Sequence, residues 1–423
     1  MAIQGRENIM YDSWNDSSSN IPKVKISSSA PKLLHLSPVA QSSILEDFSR
    51  IATAIVQLKE FCRVTTIASP DLEHGRTSRT LEAFSEAITM QLCRFDSWCS
   101  QREETMLRAV VNKHESTIVS LLSLAKALRE GFSDSFITLR DVIFNVFPHS
   151  AIFNREELVA LSRRSLSLTA CRLLDAVFDA AQSKRSFGDF VTAAFLMEVF
   201  VATAEPVWRM LGRWMRDGIF MSDGISNTDH ITLPQEFFIE SNELVLTDAD
   251  FWSDGYQLRS ALLKNEGGET LEERVVVPAF LSPVADSILS AGKSVGLLRV
   301  LGKSYTLEAP HDDTLPVTAW LSFEDFIQTS TKEALLDLSR SMSTHDISLI
   351  LSEGLSPACF RASEMLQAIL FTDCELSYHI KVVEDVYLMR KGDLMSNFCD
   401  ALFSRVSHPM VITSLSIVTK ETP

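Results

Sequence analysis

Cysteine is scarce and scattered in this sequence. The 423 residues include 7 cysteines, an odd number with no pair at C-x-x-C spacing: Cys62, Cys93, Cys99, Cys171, Cys359, Cys374 and Cys399. A secreted disulfide scaffold has dense, paired cysteines, and a structural zinc site brings its ligands in closely spaced pairs. The pattern therefore excludes both classes and fits reduced thiols in the cytosol.

Basic charge and long apolar runs are also lacking. Lys and Arg number 39 against 55 for Asp and Glu, a formal net charge of −16. Such a chain has no net field that attracts a nucleic-acid backbone or an anionic bilayer, so we expect neither partner. The first residues carry no apolar signal region, and the apolar run at 191–204 is interrupted by Glu198. We therefore expect a chain that is neither secreted nor membrane-spanning.

Catalytic and ligand-binding motifs are missing as well. The sequence has no H-E-x-x-H, no G-x-S-x-G, no G-x-G-x-x-G and no EF-hand loop, and its histidines stand singly. The acidic stretch "TDAD" at 247–250 is typical of the cap before a helix rather than of a metal site. We therefore predict no catalytic residue, no cofactor and no metal.

What the sequence does contain is helical periodicity. Residues 1–40 are rich in Ser, Asn, Lys and Pro, and we predict a disordered tail there. From about Gln41 to Asp217, apolar residues recur at three-and-four spacing, as in the stripe Ile44, Phe48, Ile51, Ile55 and Leu58. We predict one helix over residues 203–218, with Thr203 as its N-cap and Gly218 as its stop. We predict a surface loop over residues 264–274. The fold class we predict is all-α: elongated helical bundles with small extended elements.

The tripeptide Gly292-Lys293-Ser294 matches the end of a phosphate-binding P-loop. A P-loop needs its first glycine five residues before Gly292 and a strand-to-helix turn around it, because backbone N–H groups must wrap the phosphates. Here Ser287 occupies that position, inside a helix predicted to begin at Ser282-Pro283. A second tripeptide, Gly302-Lys303-Ser304, also lacks the first glycine. We instead interpret Gly292 and Gly296 as a packing notch on one face of a helix.

A cluster of aromatic residues lies between 208 and 256. In a helical domain such residues form the core or a partner-facing surface, and we favour the core for the tryptophans. The cluster consists of Trp208, Trp214, Phe237, Phe238, Phe251, Trp252 and Tyr256.

The order of these segments resembles the gamma-tubulin complex component family, also called spindle pole body components. The resemblance rests on "EPVWRMLGRWMRDGIFMSD", "EFFIE", "DFWSDGYQLR" and "VPAFLSPVADSILSAGKSVGLLRVLG", in that order within about 100 residues. It implies that the following residues are packing or lateral-interface positions: Trp208, Trp214, Gly218, Phe237, Phe238, Phe251, Trp252, Tyr256, Pro278, Phe280, Leu281, Gly292, Lys293 and Gly296. The "AGKS" form is closest to the fifth and sixth components of the family.

The resemblance further implies two domains. Residues 41–375 correspond to an N-terminal helical domain that packs laterally against other gamma-tubulin complex components. Residues 376–423 correspond to the start of the C-terminal domain that binds gamma-tubulin, with Gly392, Asp393 and Phe398 in its opening helix. The 423 residues resemble only the opening of that second domain. We therefore do not expect direct gamma-tubulin binding.

The function that the resemblance implies is structural. We expect a non-enzymatic subunit of the gamma-tubulin ring complex that supports microtubule nucleation, located in the cytoplasm at the microtubule-organising centre or spindle pole body. Two alternatives remain open from the residues alone. One is a generic helical adaptor, and the other is a nucleotide-binding enzyme that uses Lys293 and Ser294. Apolar residues such as Leu394, Phe398 and Leu402 are expected to be exposed and to favour aggregation.

Overall fold

The structure is a computed structural model that describes most of the chain. The described residues are 9–15, 21–32, 37–68, 78–111, 120–148, 152–154, 156–158, 160, 166–218, 234–242, 244, 248, 250–264, 271–302, 321–328 and 346–406. They divide into two compact units, residues 1–360 and 361–423. This division falls inside a helix, and the domain boundary expected at residue 375 stays a prediction.

Helices dominate the first unit, as the periodicity predicts. Up to residue 218 the long helices are α1 (Pro38–Ala68), α2 (Arg79–Val111), α4 (Asp134–Val146), α5 (Leu166–Ser186) and α6 (Phe190–Asp217). The short α3 (Leu121–Leu128) runs through a π-helical turn, Arg129–Ser133, into α4. The helices α5, α2 and α4 all pack against α6. Four of the five residues of the predicted stripe on α1, Phe48, Ile51, Ile55 and Leu58, are buried, and the first, Ile44, is partly exposed.

Helix α6 starts earlier than the sequence predicted. Its N-cap is Asp189, whose Oδ1 accepts a hydrogen bond from the Thr192 N–H at 3.1 Å. Thr203 lies inside the helix and donates its hydroxyl to the Val199 carbonyl at 2.6 Å. Pro206 is also internal, so the N-cap predicted at Thr203 is wrong: a proline that reads as a first-turn residue is held within a buried helix by packing. The predicted stop at Gly218 is confirmed by a φ of 65°.

Length and composition alone would allow α6 to span a membrane, and among the described helices it is the one that passes this test. The same test is passed by core helices of proteins that enter no membrane. The contacts of α6 with α2, α4 and α5 are those of a core helix.

Small extended elements join the helices, as predicted. Strands β3 (Ile239–Ser241) and β4 (Tyr256–Leu258) pair antiparallel on either side of the single turn α7 (Phe251–Asp254). Strands β5 (Ser260–Lys264) and β6 (Leu271–Val275) form a second antiparallel pair. The surface loop predicted for 264–274 is therefore wrong at both ends, where Lys264 and residues 271–274 belong to strands. Residues 265–270 lie outside the described part of the chain.

The N-terminal region also differs from the prediction of a disordered tail. Strands β1 (Tyr11–Asn15) and β2 (Pro22–Ile26) form an antiparallel hairpin whose β2 packs on α1. Val24 is buried, and polar side chains of α1 bind the β2 backbone. Composition missed this hairpin because its order comes from α1 rather than from its own apolar content. Residues 1–8, 16–20 and 33–36 lie outside the described part.

After β6 the chain enters a helix that carries both predicted notch glycines. A 3₁₀ turn at Ser282–Val284 runs into α8 (Ala285–Val300), so the helix begins at the Ser-Pro pair, as predicted. Residues 323–328 are helical, and α9 (Asp346–Thr372) crosses from the first unit into the second. Helices α10 (Leu376–Val386) and α11 (Gly392–Val406) complete the second unit.

Candidate functional site

The indole of Trp214 rests directly on Gly292. A Cβ atom added to Gly292 would lie 2.1 Å from Nε1 and from Cε2 of Trp214, closer than any real contact. The Trp214 Nε1–H donates to the carbonyl of Ile288 at 2.9 Å, one turn before the glycine in α8. Trp214 is fully buried, and its ring centroid lies 5.3 Å from that of Tyr256. The absence of a side chain at position 292 is therefore what allows α6 and α8 to touch.

The second notch glycine meets the end of α6. Gly218 has a left-handed backbone, and a Cβ on it would lie 2.3 Å from the Gly296 backbone nitrogen and 2.7 Å from the Gly292 carbonyl oxygen. Glycine is thus required at Gly218 both by its φ and by the approach of α8. Gly292 and the backbone of Gly296 thus both lie where α6 approaches α8, and the packing notch stays our interpretation of these two glycines. We call the contact among Trp214, Gly218, Tyr256, Gly292 and Gly296 the Trp214 joint.

The side chain of Lys293 binds backbone carbonyls of α7. Its side chain is 7% exposed, and its Nζ donates to the carbonyl of Trp252 at 2.6 Å and towards that of Ser253 at 3.4 Å. These carbonyls belong to the single turn α7, whose C-terminal end attracts a cation. Burial lowers the pKa of Lys293, opposed by the nearby charge of Asp254. Lys293 therefore ties α8 to α7.

Ser294 is occupied in the same way. Its hydroxyl donates to the Ser290 carbonyl one turn earlier in α8 at 2.9 Å. Both side chains of the tripeptide lie within a helix already under way, so no glycine-rich turn is present to cradle a phosphate. Lys303 and Ser304 of the second tripeptide lie outside the described residues.

Glu236, in the "EFFIE" segment, caps the first turn of α2 from far along the chain. Its two carboxylate oxygens accept the Arg79 N–H at 3.0 Å and the Thr80 N–H at 2.8 Å, and the Ser78 hydroxyl also donates to them. A carboxylate at a helix N-terminus is favoured by the free N–H groups and by the helix dipole. Sequence reasoning missed this contact. Ser78 has a helix-capping residue type, but no local signal indicates a partner 158 positions away.

The "VPAFL" segment is attached to α5 by a partly buried carboxylate. The Ala279 N–H donates to Oδ1 of Asp175 at 2.7 Å, and the Cys171 thiol donates to Oδ2 at 3.4 Å. Burial raises the pKa of Asp175, and the Ala279 hydrogen bond opposes that rise. Next to this contact, the ring centroid of Phe280 lies 5.2 Å from that of Phe200 in α6. Asp175 was likewise not identified from the sequence.

Helix α6 holds a further segment nearer its middle. The Trp208 Nε1–H donates to the Leu321 carbonyl at 2.9 Å, and the Phe323 N–H donates to Oε2 of Glu205 at 2.8 Å. Phe326 packs on Trp208, with ring centroids 4.8 Å apart, and also lies against Gly354 of α9. Three segments that are remote in sequence thus pack on α6. Phe280 packs on Phe200, residues 321–326 pack on Trp208, and α8 packs on Trp214.

Burial separates the sequence-predicted positions into two groups. Trp252 is 44% exposed, so the core position favoured for the tryptophans is wrong for this one, whose ring lies at the surface of the short turn α7. In the second unit, Gly392, Asp393 and Phe398 are exposed, Phe398 at 58%. The others are buried: Trp208, Trp214, Gly218, Phe237, Phe238, Phe251, Tyr256, Pro278, Phe280, Leu281, Gly292, Lys293 and Gly296. Buried positions pack the unit, and the exposed ones are the positions accessible at its surface.

The described residues contain no group of three or more His, Cys, Asp or Glu side chains arranged to hold a metal ion. The contacts described at this site are packing contacts and helix caps. The Trp214 joint brings α6, Tyr256 of β4 and α8 into contact. Glu236 attaches the "EFFIE" segment to α2, and Asp175 attaches the "VPAFL" segment to α5.

Comparison with known proteins follows the same segments. Residues 1–372 match a family model described as gamma tubulin complex component N-terminal. The chain is 25% identical over 240 residues to a Drosophila melanogaster protein named gamma-tubulin complex component 2 homolog, which covers 55% of this chain and 22% of that protein. It is 25% identical over 231 residues to Mus musculus gamma-tubulin complex component 2, covering 53% and 20% respectively. The match thus spans about a fifth of the length of these curated relatives.

Proposed function

Because the chain belongs to the gamma-tubulin complex component family, we propose that it is a non-catalytic structural subunit of a gamma-tubulin complex that supports microtubule nucleation. The observation that carries this proposal is the match of residues 1–372 to the N-terminal family model. The names of the two relatives, each a gamma-tubulin complex component, point the same way.

The physical role we propose is to hold neighbouring subunits at a fixed spacing. Free subunits lose translational and rotational freedom when they first associate, so spontaneous nucleation is slow. A preassembled row of rigid subunits has already met that cost. The Trp214 joint supports this role because it holds α6 against α8 in close contact, and Lys293 adds a hydrogen bond from α8 to α7.

The partners we propose are other gamma-tubulin complex components, bound laterally through the first unit, and gamma-tubulin. Among the packing and interface positions named from the sequence, Trp252 has the exposed ring that a lateral contact needs. For gamma-tubulin we propose association through the assembled complex rather than direct binding; the segment that resembles the start of a gamma-tubulin-binding domain is Gly392–Val406, where Phe398 is exposed. Proteins of this family are cytoskeletal and associated with the microtubule-organising centre; the spindle pole body is the finer location we propose. The similarity to the fifth or sixth component also stays a prediction, since the relatives described above carry the name of component 2.

Co-sedimentation of the full chain tests the assignment. The chain is mixed with the remaining gamma-tubulin complex components, with and without gamma-tubulin, and its migration into the assembled fraction is measured. We expect association with the components and reduced association for Trp252→Ala. Phe187→Ala is the matched control, because Phe187 is an 84% exposed aromatic residue outside the predicted set. Absence of any association in both mixtures would overturn the proposal.

Nucleotide binding is the alternative that the same preparation addresses. Since Lys293 binds two carbonyl oxygens and Ser294 binds a third, we propose that neither ATP nor GTP binds through this tripeptide. Equilibrium dialysis with labelled nucleotide measures this directly. Saturable binding that disappears in Lys293→Ala, with the helical fold intact by circular dichroism, would restore the enzyme alternative.

A further inference from the structure

The second unit has two helices whose apolar faces lie at its surface. Three valines of α10 fall on one face of that helix by their spacing, and three large apolar side chains of α11 recur every fourth residue. All six are between 40% and 62% exposed. We call this set the α10–α11 surface: Val382, Val383, Val386, Leu394, Phe398 and Leu402.

Neither helix is long enough to be stable in water by itself. Helix α10 has 11 residues and α11 has 15, whereas isolated helices shorter than about 12–15 residues are marginal even with favourable sequences. Every residue of α10, and every one of residues 392–405 in α11, is at least partly exposed. Helices in proteins owe most of their stability to the packing of an apolar face, so α10 and α11 need a surface that covers theirs.

The exposed apolar area is as large as a stable dimer needs. With about 90 Å² for a whole aliphatic side chain and about 200 Å² for an aromatic one, the exposed fractions of the α10–α11 surface amount to about 330 Å². Tyr387, Leu388 and Met389 join the two helices, are 63% to 78% exposed and add about 280 Å². A standard interface buries about 800 Å² per partner, and in homodimers about 65% of it, or about 520 Å², is apolar. The area available here meets that requirement.

The charge of this segment favours an identical chain as the occupant. Residues 376–406 contain four basic and four acidic side chains, so their net charge is 4 − 4 = 0, whereas the whole chain carries −16. Two of the pairs are closed within one copy: Arg390 Nη1 lies 2.7 Å from Glu384 Oε2, and Lys391 Nζ lies 2.8 Å from Asp385 Oδ2. A strongly basic or acidic partner finds no net charge to complement here, and two copies avoid here the repulsion that their −16 charges impose elsewhere.

We propose that the α10–α11 surface pairs with the same surface of a second copy of this chain in a two-fold symmetric dimer. A two-fold contact uses one patch twice, so the patch must be apolar enough and must not repel itself. The exposed area meets the first condition and the zero net charge meets the second. This inference uses residues of the second unit alone and is independent of the function proposed above.

Sedimentation equilibrium of the full chain from ~1 to ~100 μM is the first test. We expect a reversible equilibrium in which the mass rises from the 47.2 kDa of one chain towards that of two. Leu394→Glu and Val383→Glu should each weaken dimerisation at least ~10-fold, because a carboxylate would be buried against apolar side chains. Leu122→Glu is the matched control, since Leu122 is a 68% exposed leucine in the first turn of α3, and it should leave the dissociation constant unchanged. A monomer at every concentration, association that Leu394→Glu and Val383→Glu leave unchanged, or species that keep growing beyond two copies would each overturn the proposal.

Hydrogen exchange of the unmodified chain at the two ends of that concentration range is the second test, and it locates the contact without any substitution. We expect the amides of α10 and α11 to exchange at least ~10-fold more slowly at the higher concentration, and those of α2 and α6 to exchange at an unchanged rate. Added protection in α2 or α6, with none in α10 and α11, would show that the copies meet elsewhere and would contradict the proposal. Full protection of α10 and α11 in the monomer would also contradict it, because the chain would then cover this surface itself.

Discussion

Replacing Gly292 by alanine should damage the Trp214 joint although the change adds a single methyl group. The new Cβ would lie 2.1 Å from two atoms of the Trp214 indole and 2.6 Å from a third. The ring is fully buried and held by the hydrogen bond from Nε1–H to the Ile288 carbonyl at 2.9 Å. The variant must therefore either shift the indole and weaken that bond, or separate α6 from α8.

The magnitude follows from three opposing effects. Overpacking a core by a methyl group costs about 1–3 kcal/mol, and a buried indole N–H left without its acceptor costs about 1–3 kcal/mol. Alanine stabilises a helix relative to glycine by about 1 kcal/mol, which opposes both losses. We therefore expect Gly292→Ala to lower the free energy of unfolding by about 1–5 kcal/mol.

Urea unfolding of the full chain, followed by far-UV circular dichroism and by tryptophan fluorescence, measures this loss. Gly131→Ala is the matched control, because nothing lies within 4 Å of a Cβ at that helical position, and it should be neutral or slightly stabilising. Trp214→Phe should partly rescue Gly292→Ala, since phenylalanine lacks the crowded indole ring atoms. Equal stability of Gly292→Ala and the wild type, or strictly additive effects with Trp214→Phe, would refute the reasoning.

Three further predictions concern other contacts. Glu236→Gln should lower the free energy of unfolding by about 2–3 kcal/mol and speed amide exchange in the first turn of α2, because an amide cannot accept all three donors at that helix end; Glu240→Gln, at a partly exposed ion pair, should cost under about 1 kcal/mol. Burial raises the folded-state pKa of Asp175. The protonated Asp175 carboxyl therefore favours folding below its ordinary pKa of about 3.9, and this stabilisation is lost as the pH rises through the folded-state pKa. The wild type should therefore lose stability relative to Asp175→Asn over this range, and parallel urea midpoints from pH 4 to 7 would contradict the assignment. Phe398→Glu should reduce concentration-dependent self-association in analytical ultracentrifugation, because it places a charge on the exposed apolar face of α11; unchanged association would show that this face is not the cause.

The limits of prediction from the sequence are visible at particular residues. The stripe on α1, the stop at Gly218 and the helical setting of Gly292 all depend on the spacing of apolar and helix-ending residues along the chain. That spacing can be read directly from the sequence. The start of α6 was misplaced because Pro206 normally marks a first turn, and only the packing of α6 against its neighbours keeps that proline internal. The N-terminal hairpin was missed because the surface that orders it belongs to α1.

By itself, the sequence determined the all-α class, the exclusion of a P-loop and the family resemblance, since helical periodicity and motif order are properties of neighbouring residues. Only the tertiary structure decided what the motif residues do: Gly292 seats Trp214, Lys293 caps α7, Glu236 caps α2 and Asp175 holds the turn at Ala279. Each of these contacts joins positions about 40 to 160 residues apart. Such pairings depend on how the helices cross, and the crossing is decided by the packing of whole elements rather than by any local pattern.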